Sequence, residues 1–198
     1  MTILKSLSVG LCLLASLFGL NAASFTVELH DGWTFQRVSK DVLRWHPATV
    51  PGCVQTDLMA TGCIEDPYFR MNEQGIQWID KEDWKYRKTF DVPAEIYSKK
   101  NIFITFEGLD TFADVYLNGE RIISSDNMFR VWKTDVKSLL KAQNNVLEVY
   151  FHSITKKGLE LREQSPYRFP AANDLSQIGG LFDQKIARFK HLLKQLKI

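Results

Sequence analysis

The chain has 198 residues and a formal net charge of +2, with acidic and basic side chains interspersed over most of its length. This balance argues against a basic surface of the kind that binds nucleic acid. The length allows one domain with a hydrophobic core but excludes a β-sandwich combined with a (β/α)₈ barrel, because such a barrel alone requires about 250 residues.

The first 23 residues are predicted to be a signal peptide. Lys5 supplies positive charge, residues 7–20 form an apolar run, and Ala22 and Ala23 offer small residues for cleavage. The run is too short for the roughly 20 apolar residues of a membrane span, so a signal anchor is the less favoured alternative. The sequence therefore indicates an exported protein, whether periplasmic, secreted or lysosomal, and argues against membrane attachment.

Strands are predicted at residues 25–29 and 33–37, followed by a short helix at residues 55–60 with Gly62 placed to end it. Cys53 and Cys63 flank this helix, and export would expose both to an oxidising compartment. A helix between them should hold the two cysteines farther apart than the ~7 Å limit for a disulfide. The sequence thus predicts two buried free thiols.

Alternation with a period of two predicts the strands of the middle of the chain. Residues 84–90 place apolar side chains on one face, interrupted only by Lys88. Asn118-Gly119 separates two β-type runs and favours the type I′ turn of a hairpin. Further strands are predicted at residues 102–106, 129–133 and 146–151, and a second short helix at residues 136–140. Short strands divided by turn signals predict an all-β antiparallel sandwich.

The alternation disappears towards the C-terminus. Proline and glycine pairs within residues 165–180 are typical of an irregular loop. Residues 186–198 place lysines among leucines at helical spacing, which predicts a basic amphipathic tail. One interpretation is a membrane-surface or partner helix, and the other is a non-native tail.

Six motifs in a fixed order carry a resemblance to a known family. They are Val50-Pro51-Gly52-Cys53-Val54-Gln55-Thr56-Asp57-Leu58, Asp66-Pro67-Tyr68-Phe69-Arg70-Met71-Asn72-Glu73, Trp78, Asp83-Trp84-Lys85-Tyr86, Phe106-Glu107-Gly108-Leu109-Asp110-Thr111 and Asp126-Asn127-Met128-Phe129-Arg130. In this order and spacing, over residues 25–186, the chain resembles the N-terminal domain of β-mannosidases. These are retaining glycoside hydrolases related to β-galactosidase and β-glucuronidase.

The resemblance implies a jelly-roll, galactose-binding-like sandwich over residues 24–155, followed by an irregular linker at residues 156–185 and the basic tail at residues 186–198. In the family, the segment after a Gly-Gly-Leu-Phe-Asp-like stretch leads into a loop containing Trp-Asp-Trp. This chain departs from that pattern near Phe189. The departure predicts that the tail is the product of a truncation or a frameshift.

No catalytic residue is predicted in this chain. Retaining glycosidases need two carboxyl groups about 5–5.5 Å apart, and the family places both on barrel strands that the chain lacks. The acidic pairs Glu82 with Asp83 and Glu107 with Asp110 are interpreted as solvated turn residues. The four histidines are scattered without metal-ligand spacing, and the resemblance implies no metal or other cofactor.

Sugar contact is predicted for three residues of the stretch 66–78, which matches a family loop that reaches over the barrel mouth. Arg70 and Asn72 could form hydrogen bonds with sugar hydroxyls, and Trp78 could offer an aromatic face. In the structural alternative, Arg70 pairs with Asp66 or Glu73 and Trp78 fills a core. Five other aromatic residues are predicted to belong to the core, namely Trp33, Trp45, Trp84, Tyr86 and Trp132.

Three functional hypotheses follow. The first is the non-catalytic N-terminal domain of an exported β-mannosidase, whose intact parent would hydrolyse terminal, non-reducing β-D-mannose residues with retention. The second is a free-standing carbohydrate-binding module that takes a β-mannoside or another glycan. The third is a structural domain that docks onto a glycosidase barrel. The expected partners are therefore a glycan and the remaining domains of the parent enzyme.

Overall fold

The computed structural model describes residues 25–39 and 44–166, together with the backbone of residues 192–197. The predicted signal peptide and the part of the predicted linker (residues 156–185) that follows residue 166 lie outside the described residues. Within the described part of the chain, no helix is long and apolar enough to cross a membrane.

Two antiparallel sheets make up the described fold. The strands are β1 (Trp33–Arg37), β2 (His46–Ala48), β3 (Gly52–Cys53), β4 (Trp84–Phe90), β5 (Phe103–Leu109), β6 (Ala113–Leu117), β7 (Glu120–Ser125), β8 (Trp132–Asp135), β9 (Asn145–Phe151) and β10 (Leu192–Lys197). The six-stranded sheet has the order β2-β1-β4-β9-β6-β7, and the four-stranded sheet has the order β3-β10-β5-β8. The predicted all-β antiparallel architecture is confirmed.

The core contains the inward faces of these strands. Along β4 the burial alternates as the sequence predicts, with Trp84 and Tyr86 almost fully buried and Lys85 and Arg87 only partly so. The Phe35 ring of β1 lies 5.7 Å from the Tyr86 ring, a spacing typical of favourable aromatic pairs. Trp33 is also core, and the half-buried Trp132 packs against the core. Trp45 is half-buried and does not belong to the core cluster, so its predicted core position is wrong.

Lys88 interrupts the apolar face of β4 without leaving its charge unpartnered. Its ammonium group donates a hydrogen bond to the Asp31 carbonyl oxygen. Burial lowers the pKa of Lys88, while the Asp31 carboxylate acts in the opposite direction. The long apolar stem therefore packs in the interior while the amine reaches a polar group at its edge.

The β6–β7 hairpin forms as the Asn-Gly pair predicts. Asn118 and Gly119 have φ angles of 52° and 92°, the positive values of a type I′ turn. The Asn118 side chain also joins the hairpin to the rest of the fold. Its Nδ2 donates to the Leu139 carbonyl oxygen and to Asn145 Oδ1, and its Oδ1 accepts from the Val146 amide.

Helix α1 (Val54–Ala60) confirms the predicted short helix between the two cysteines, and both thiols are free. Cys53 is buried, but the predicted burial of Cys63 is wrong. Gly62, with a φ of 70°, ends the turn after α1, and the chain then enters an exposed loop that carries Cys63 to the surface.

Two local predictions are wrong in the N-terminal and middle parts of the chain. Residues 25–29 hold only an isolated bridge at Glu28 instead of a strand. Residues 136–140 form a turn instead of a helix. Its beginning is set by the Val136 amide, which donates to the Ile102 carbonyl oxygen, and its end by Asn145 Oδ1, which accepts from the Lys141 amide.

Two further predictions are wrong towards the C-terminus. The first part of the predicted irregular linker is helix α4 (Ile154–Gln164), whose N-terminus is capped by the Ser153 hydroxyl accepting from the Lys156 amide. Residues 192–197 of the predicted helical tail form strand β10. In that segment the backbone edges of two neighbouring strands outweigh the local helical pattern.

Candidate functional site

The predicted sugar-contacting residues lie in the loop of residues 66–78, which connects α1 to β4 and contains the one-turn helix α2 (Asn72–Gly75). A 3₁₀ helix (Ile79–Lys81) follows it, and another one-turn helix, α3 (Ala94–Tyr97), comes after β4.

Asp66 organises the start of the 66–78 loop. Its Oδ1 accepts from the Tyr68 amide at 2.9 Å, and its carbonyl oxygen accepts from the Phe69 amide at 3.1 Å. These bonds form an Asx-type turn.

Asn72 is half-buried and supports the loop from inside. Its Nδ2 donates to the Asp66 carbonyl oxygen at 2.9 Å, so the amide group closes the turn that Asp66 begins. Arg70 is exposed and has a φ of 54°, and its guanidinium lies 5.0 Å from the centroid of the Phe69 ring. The structure therefore brings Arg70 and Asn72 into one short loop, with the Arg70 head group at the surface.

Trp78 occupies a different environment. Its half-buried ring packs against the core, with its centroid 5.9 Å from that of Trp84. The Arg37 guanidinium lies 5.3 Å from the Trp78 ring centroid, a distance at which a cation–π attraction operates. Trp78 therefore fixes the C-terminal end of the loop to the sandwich.

Three exposed apolar side chains of this loop are further functional candidates that the sequence analysis did not name. Tyr68, Phe69 and Met71 are 87%, 57% and 63% exposed. Their signal was available in the sequence, because Pro67-Tyr68-Phe69 is an apolar run inside a turn and outside any alternating strand. Exposed apolar groups that lie together mark interaction surfaces more often than isolated ones do.

Two of the four acidic residues that were expected to be solvated have structural partners instead. Asp83 was expected to be a solvated turn residue, but its carboxylate accepts from the Tyr150 hydroxyl at 2.9 Å and from the Ser153 amide at 2.6 Å. Asp110 was also expected to be solvated, yet it is 1% exposed and accepts from the Thr111 amide and hydroxyl. Both serve to anchor strand ends, and Glu107 is exposed.

Asp80, which the sequence analysis did not single out, has a strongly perturbed carboxyl group. Burial, together with the nearby Asp110 carboxylate, raises the pKa of Asp80 to about 7, although Lys81 acts in the opposite direction. Perturbed carboxyl pairs often mark active sites. Here both groups are almost fully buried, so a sugar ring has no access to them.

A second buried carboxylate fastens α1 to the six-stranded sheet. Asp57 Oδ1 accepts from the Thr49 amide at 2.9 Å, and Asp57 Oδ2 accepts from the Tyr86 hydroxyl at 2.8 Å. Burial raises the pKa of Asp57, and these two hydrogen bonds act in the opposite direction. Asp57 and Tyr86 are both almost fully buried, so this contact holds α1 on the sheet.

Within residues 25–39 and 44–166, no group of three histidine, cysteine, aspartate or glutamate residues is arranged to hold a metal ion. The polar groups of the 66–78 loop can donate and accept hydrogen bonds with a neutral ligand such as a sugar.

Comparison with known proteins decides the family. The model of the glycosyl hydrolase 2 galactose-binding domain-like family matches residues 33–188. The chain belongs to this family. The match covers strands β1 to β9 and α4 and ends one residue before Phe189, where the sequence was expected to leave the family pattern.

The curated relatives of this galactose-binding-like domain are β-mannosidases. The chain is 38% identical over 146 residues to β-mannosidase B of Thermothelomyces thermophilus and 40% identical over 146 residues to β-mannosidase B of Aspergillus clavatus. These alignments cover 73% and 72% of this chain but only 17% of either relative. The chain therefore spans about a sixth of the length of the enzymes that it matches.

Solved structures agree with this assignment. The β-D-mannosidase of Dictyoglomus thermophilum superposes with a TM-score of 0.76 and 37% sequence identity, covering 88% of this chain and 22% of that enzyme. An FMN-binding β-glucuronidase from Faecalibacterium prausnitzii shares only the fold, with a TM-score of 0.52 and 16% identity over 87% of this chain and 22% of its own.

Proposed function

We propose that this chain provides the non-catalytic N-terminal domain of a β-mannosidase. The similarity to β-mannosidases in both sequence and structure carries this proposal. The β-D-mannosidase of Dictyoglomus thermophilum alone combines 37% sequence identity with a TM-score of 0.76. The intact parent would hydrolyse terminal, non-reducing β-D-mannose residues with retention, using two glutamates of a barrel domain. The apolar run in residues 1–23 supports export as part of the same proposal.

In this proposal the 66–78 loop faces the sugar-binding pocket of the parent enzyme. Arg70 and Asn72 would form hydrogen bonds with the terminal sugar, and Trp78 would add aromatic contact while it holds the loop on the sandwich. The surface position of the Arg70 guanidinium and the well-defined turn around Asp66 support this role. Pre-positioned loops of this kind reduce the entropic cost of binding a ligand.

The direct test is an assay of the purified chain on an aryl β-mannoside. No turnover is expected, because in this proposal both catalytic glutamates belong to the barrel domain of the parent enzyme. In parallel, residues 33–188 should replace the matching domain of the Dictyoglomus thermophilum β-D-mannosidase, and that chimera should retain activity on the same substrate. Turnover by the isolated chain that disappears on mutation of one of its own residues would overturn the proposal, as would a folded but inactive chimera.

A docking role has its own supporting observation. Tyr68, Phe69 and Met71 expose apolar surface at the tip of the 66–78 loop. A domain that normally packs against a barrel would bury such side chains in the interface.

The carbohydrate-binding alternative is tested by titrating mannobiose into the isolated chain. Saturable binding that Asn72→Ala abolishes would favour an independent binding module over a docking domain.

A further inference from the structure

The tip of the β6–β7 hairpin carries a chemically reactive dipeptide. Asn118-Gly119 is the only Asn-Gly pair in the sequence. Asparagine is a labile residue, and glycine increases that lability because no side chain hinders attack by the glycine nitrogen on the asparagine side chain. Gly119 is exposed, so water has access to this turn.

The fold holds the Asn118 side chain in one orientation. The Asn118 amide donates to the Val146 carbonyl oxygen at 2.8 Å, and Asn118 Oδ1 accepts from the Val146 amide at 2.9 Å. Asn118 Nδ2 donates to the Leu139 carbonyl oxygen at 2.8 Å and to Asn145 Oδ1 at 3.0 Å. Both Nδ2 protons are therefore used, and rotation of the side-chain amide would break all three of its hydrogen bonds.

Deamidation requires that rotation. The Gly119 nitrogen attacks Asn118 Cγ to close a five-membered succinimide ring, and Nδ2 leaves as ammonia with the proton of the Gly119 nitrogen. One water molecule then opens the ring and gives aspartate or isoaspartate at position 118. In the native hairpin the three hydrogen bonds fix the amide plane, so the reaction has to wait until the turn opens locally.

The aspartate product does not fit the same network. It places a carboxylate oxygen at the position of Nδ2, against the Leu139 carbonyl oxygen and Asn145 Oδ1, which are both acceptors. Asn145 cannot turn to donate instead, because its Oδ1 accepts from the Lys141 amide and its Nδ2 donates to the Lys141 carbonyl oxygen. Asn145 is completely buried, so bulk water does not replace the lost donor. Isoaspartate also lengthens the backbone within a two-residue turn.

We propose that Asn118 is a covalent modification site whose reactivity the fold controls. The native hydrogen bonds of the β6–β7 turn block deamidation, and opening of the turn allows it. Because the product lacks the donor that the buried network needs, deamidation converts a transient opening into a lasting loss of the native turn. This inference rests on the hairpin alone and does not depend on the proposed β-mannosidase function.

Peptide mass spectrometry of the full-length chain measures the protection. Met128→Gly supplies a matched control in the same molecule, because it creates a second Asn-Gly pair at Asn127, an exposed residue in the loop between β7 and β8. In the folded variant, deamidation at Asn118 should be at least about ten-fold slower than at Asn127, since only the open fraction of the hairpin reacts. In concentrated urea the two rates should agree within about two-fold, because neither turn persists.

A pair of aspartate variants measures the consequence of the reaction. Asn118→Asp reproduces one product and should lower the melting temperature at neutral pH by roughly 5 °C or more, because buried acceptors lose their donor. Asn127→Asp makes the same chemical change at an exposed position and should shift the melting temperature by no more than about 1 °C.

Two outcomes would overturn the proposal. Equal deamidation rates at Asn118 and Asn127 in the folded Met128→Gly variant would show that the hydrogen bonds give no protection. A melting temperature of Asn118→Asp equal to that of the wild type would show that the native turn accommodates the product.

Discussion

Trp84 and Asn72 are close in sequence but lie in very different surroundings. Trp84 is 1% exposed, and its Nε1 donates to the Ile79 carbonyl oxygen. Asn72 sits in the 66–78 loop and makes one side-chain hydrogen bond to Asp66. Truncation of a buried tryptophan leaves a large cavity, whereas truncation of a loop amide leaves none.

We therefore expect Trp84→Ala to lower the free energy of unfolding by about 3–5 kcal/mol. Asn72→Ala should lower it by less than about 1 kcal/mol. Chemical denaturation of the isolated chain measures both. In the chimera with the Dictyoglomus thermophilum enzyme, Asn72→Ala should reduce kcat/KM while the melting temperature scarcely changes. If Asn72→Ala instead unfolds the domain as severely as Trp84→Ala, Asn72 is purely a structural residue.

Asp80 gives the protein a predictable dependence on pH. Its pKa is about 7 in the folded protein against an ordinary value of 3.8, so the folded state binds this proton more tightly than the unfolded state does. The contribution to stability is therefore fully present below about pH 4, falls as the pH rises towards 7, and is lost above it.

Replacement of this carboxyl group should remove that dependence. Asp80→Asn is expected to raise the melting temperature by about 2–4 °C at pH 8 and to change it little at pH 4, because the amide resembles the protonated acid. Asp126→Asn, at an exposed position, serves as the control and should have no such pH-dependent effect. A melting temperature for Asp80→Asn that is lower than wild type at pH 8 would contradict the buried-acid account.

At the scale of the elements, the turn of the β6–β7 hairpin also belongs to a hydrogen-bond network that reaches β9. Asn118 adopts the left-handed conformation that the turn needs, and its side chain also bonds to Leu139, Asn145 and Val146. Asn145 is completely buried and bonds in turn to Lys141. The turn residue therefore stabilises β9 and the loop before it as well as its own hairpin.

Two asparagine variants separate these roles. Asn118 and Asn144 both have positive φ angles, of 52° and 56°, and glycine accepts either conformation. Asn118→Gly should cost about 1–3 kcal/mol, because it leaves buried partners without their hydrogen bonds. Asn144→Gly, at an exposed position, should cost well under about 1 kcal/mol. Equal losses on thermal or chemical unfolding would mean that backbone conformation alone explains the role of Asn118.

At the scale of the whole molecule, two loops each carry two or more exposed large apolar side chains. Tyr68, Phe69 and Met71 lie in the 66–78 loop, and Phe129 and Val131 lie between β7 and β8 with 81% and 63% of their surfaces exposed. In the proposed parent enzyme such side chains would be covered by the neighbouring domains. In the isolated domain they are available for self-association.

The isolated chain is therefore expected to bind a hydrophobic dye or to self-associate at micromolar concentration. Tyr68→Ser with Phe69→Ser should reduce that association, and comparison with Phe129→Ser plus Val131→Ser identifies which loop drives it. Analytical ultracentrifugation and dye fluorescence provide the readouts. A wild-type chain that stays monomeric and does not bind the dye would favour an independent module over a domain that docks onto a barrel.

The sequence by itself determined the strands whose patterns are local. Three of these patterns are the alternation in residues 84–90, the β-type residues around Asn118-Gly119 and the glycine after α1. Each favours one backbone conformation through steric limits or side-chain periodicity and needs no distant partner. The family motifs likewise identify the domain, because they depend on order and spacing along the chain. The antiparallel sandwich and the family were accordingly predictable before any contact was known.

Tertiary structure alone decided the features that depend on a partner from elsewhere in the chain. Residues 192–197 have a helical pattern but pair with β3 and β5, and Asp80 and Asp110 become a buried acidic pair although neither sequence context indicates burial. The contact of the Arg37 guanidinium with the Trp78 ring, which joins residues far apart in the chain, also arises in this way. In each case a long-range hydrogen bond or burial outweighs a local preference of only a few tenths of a kcal/mol to about 1 kcal/mol.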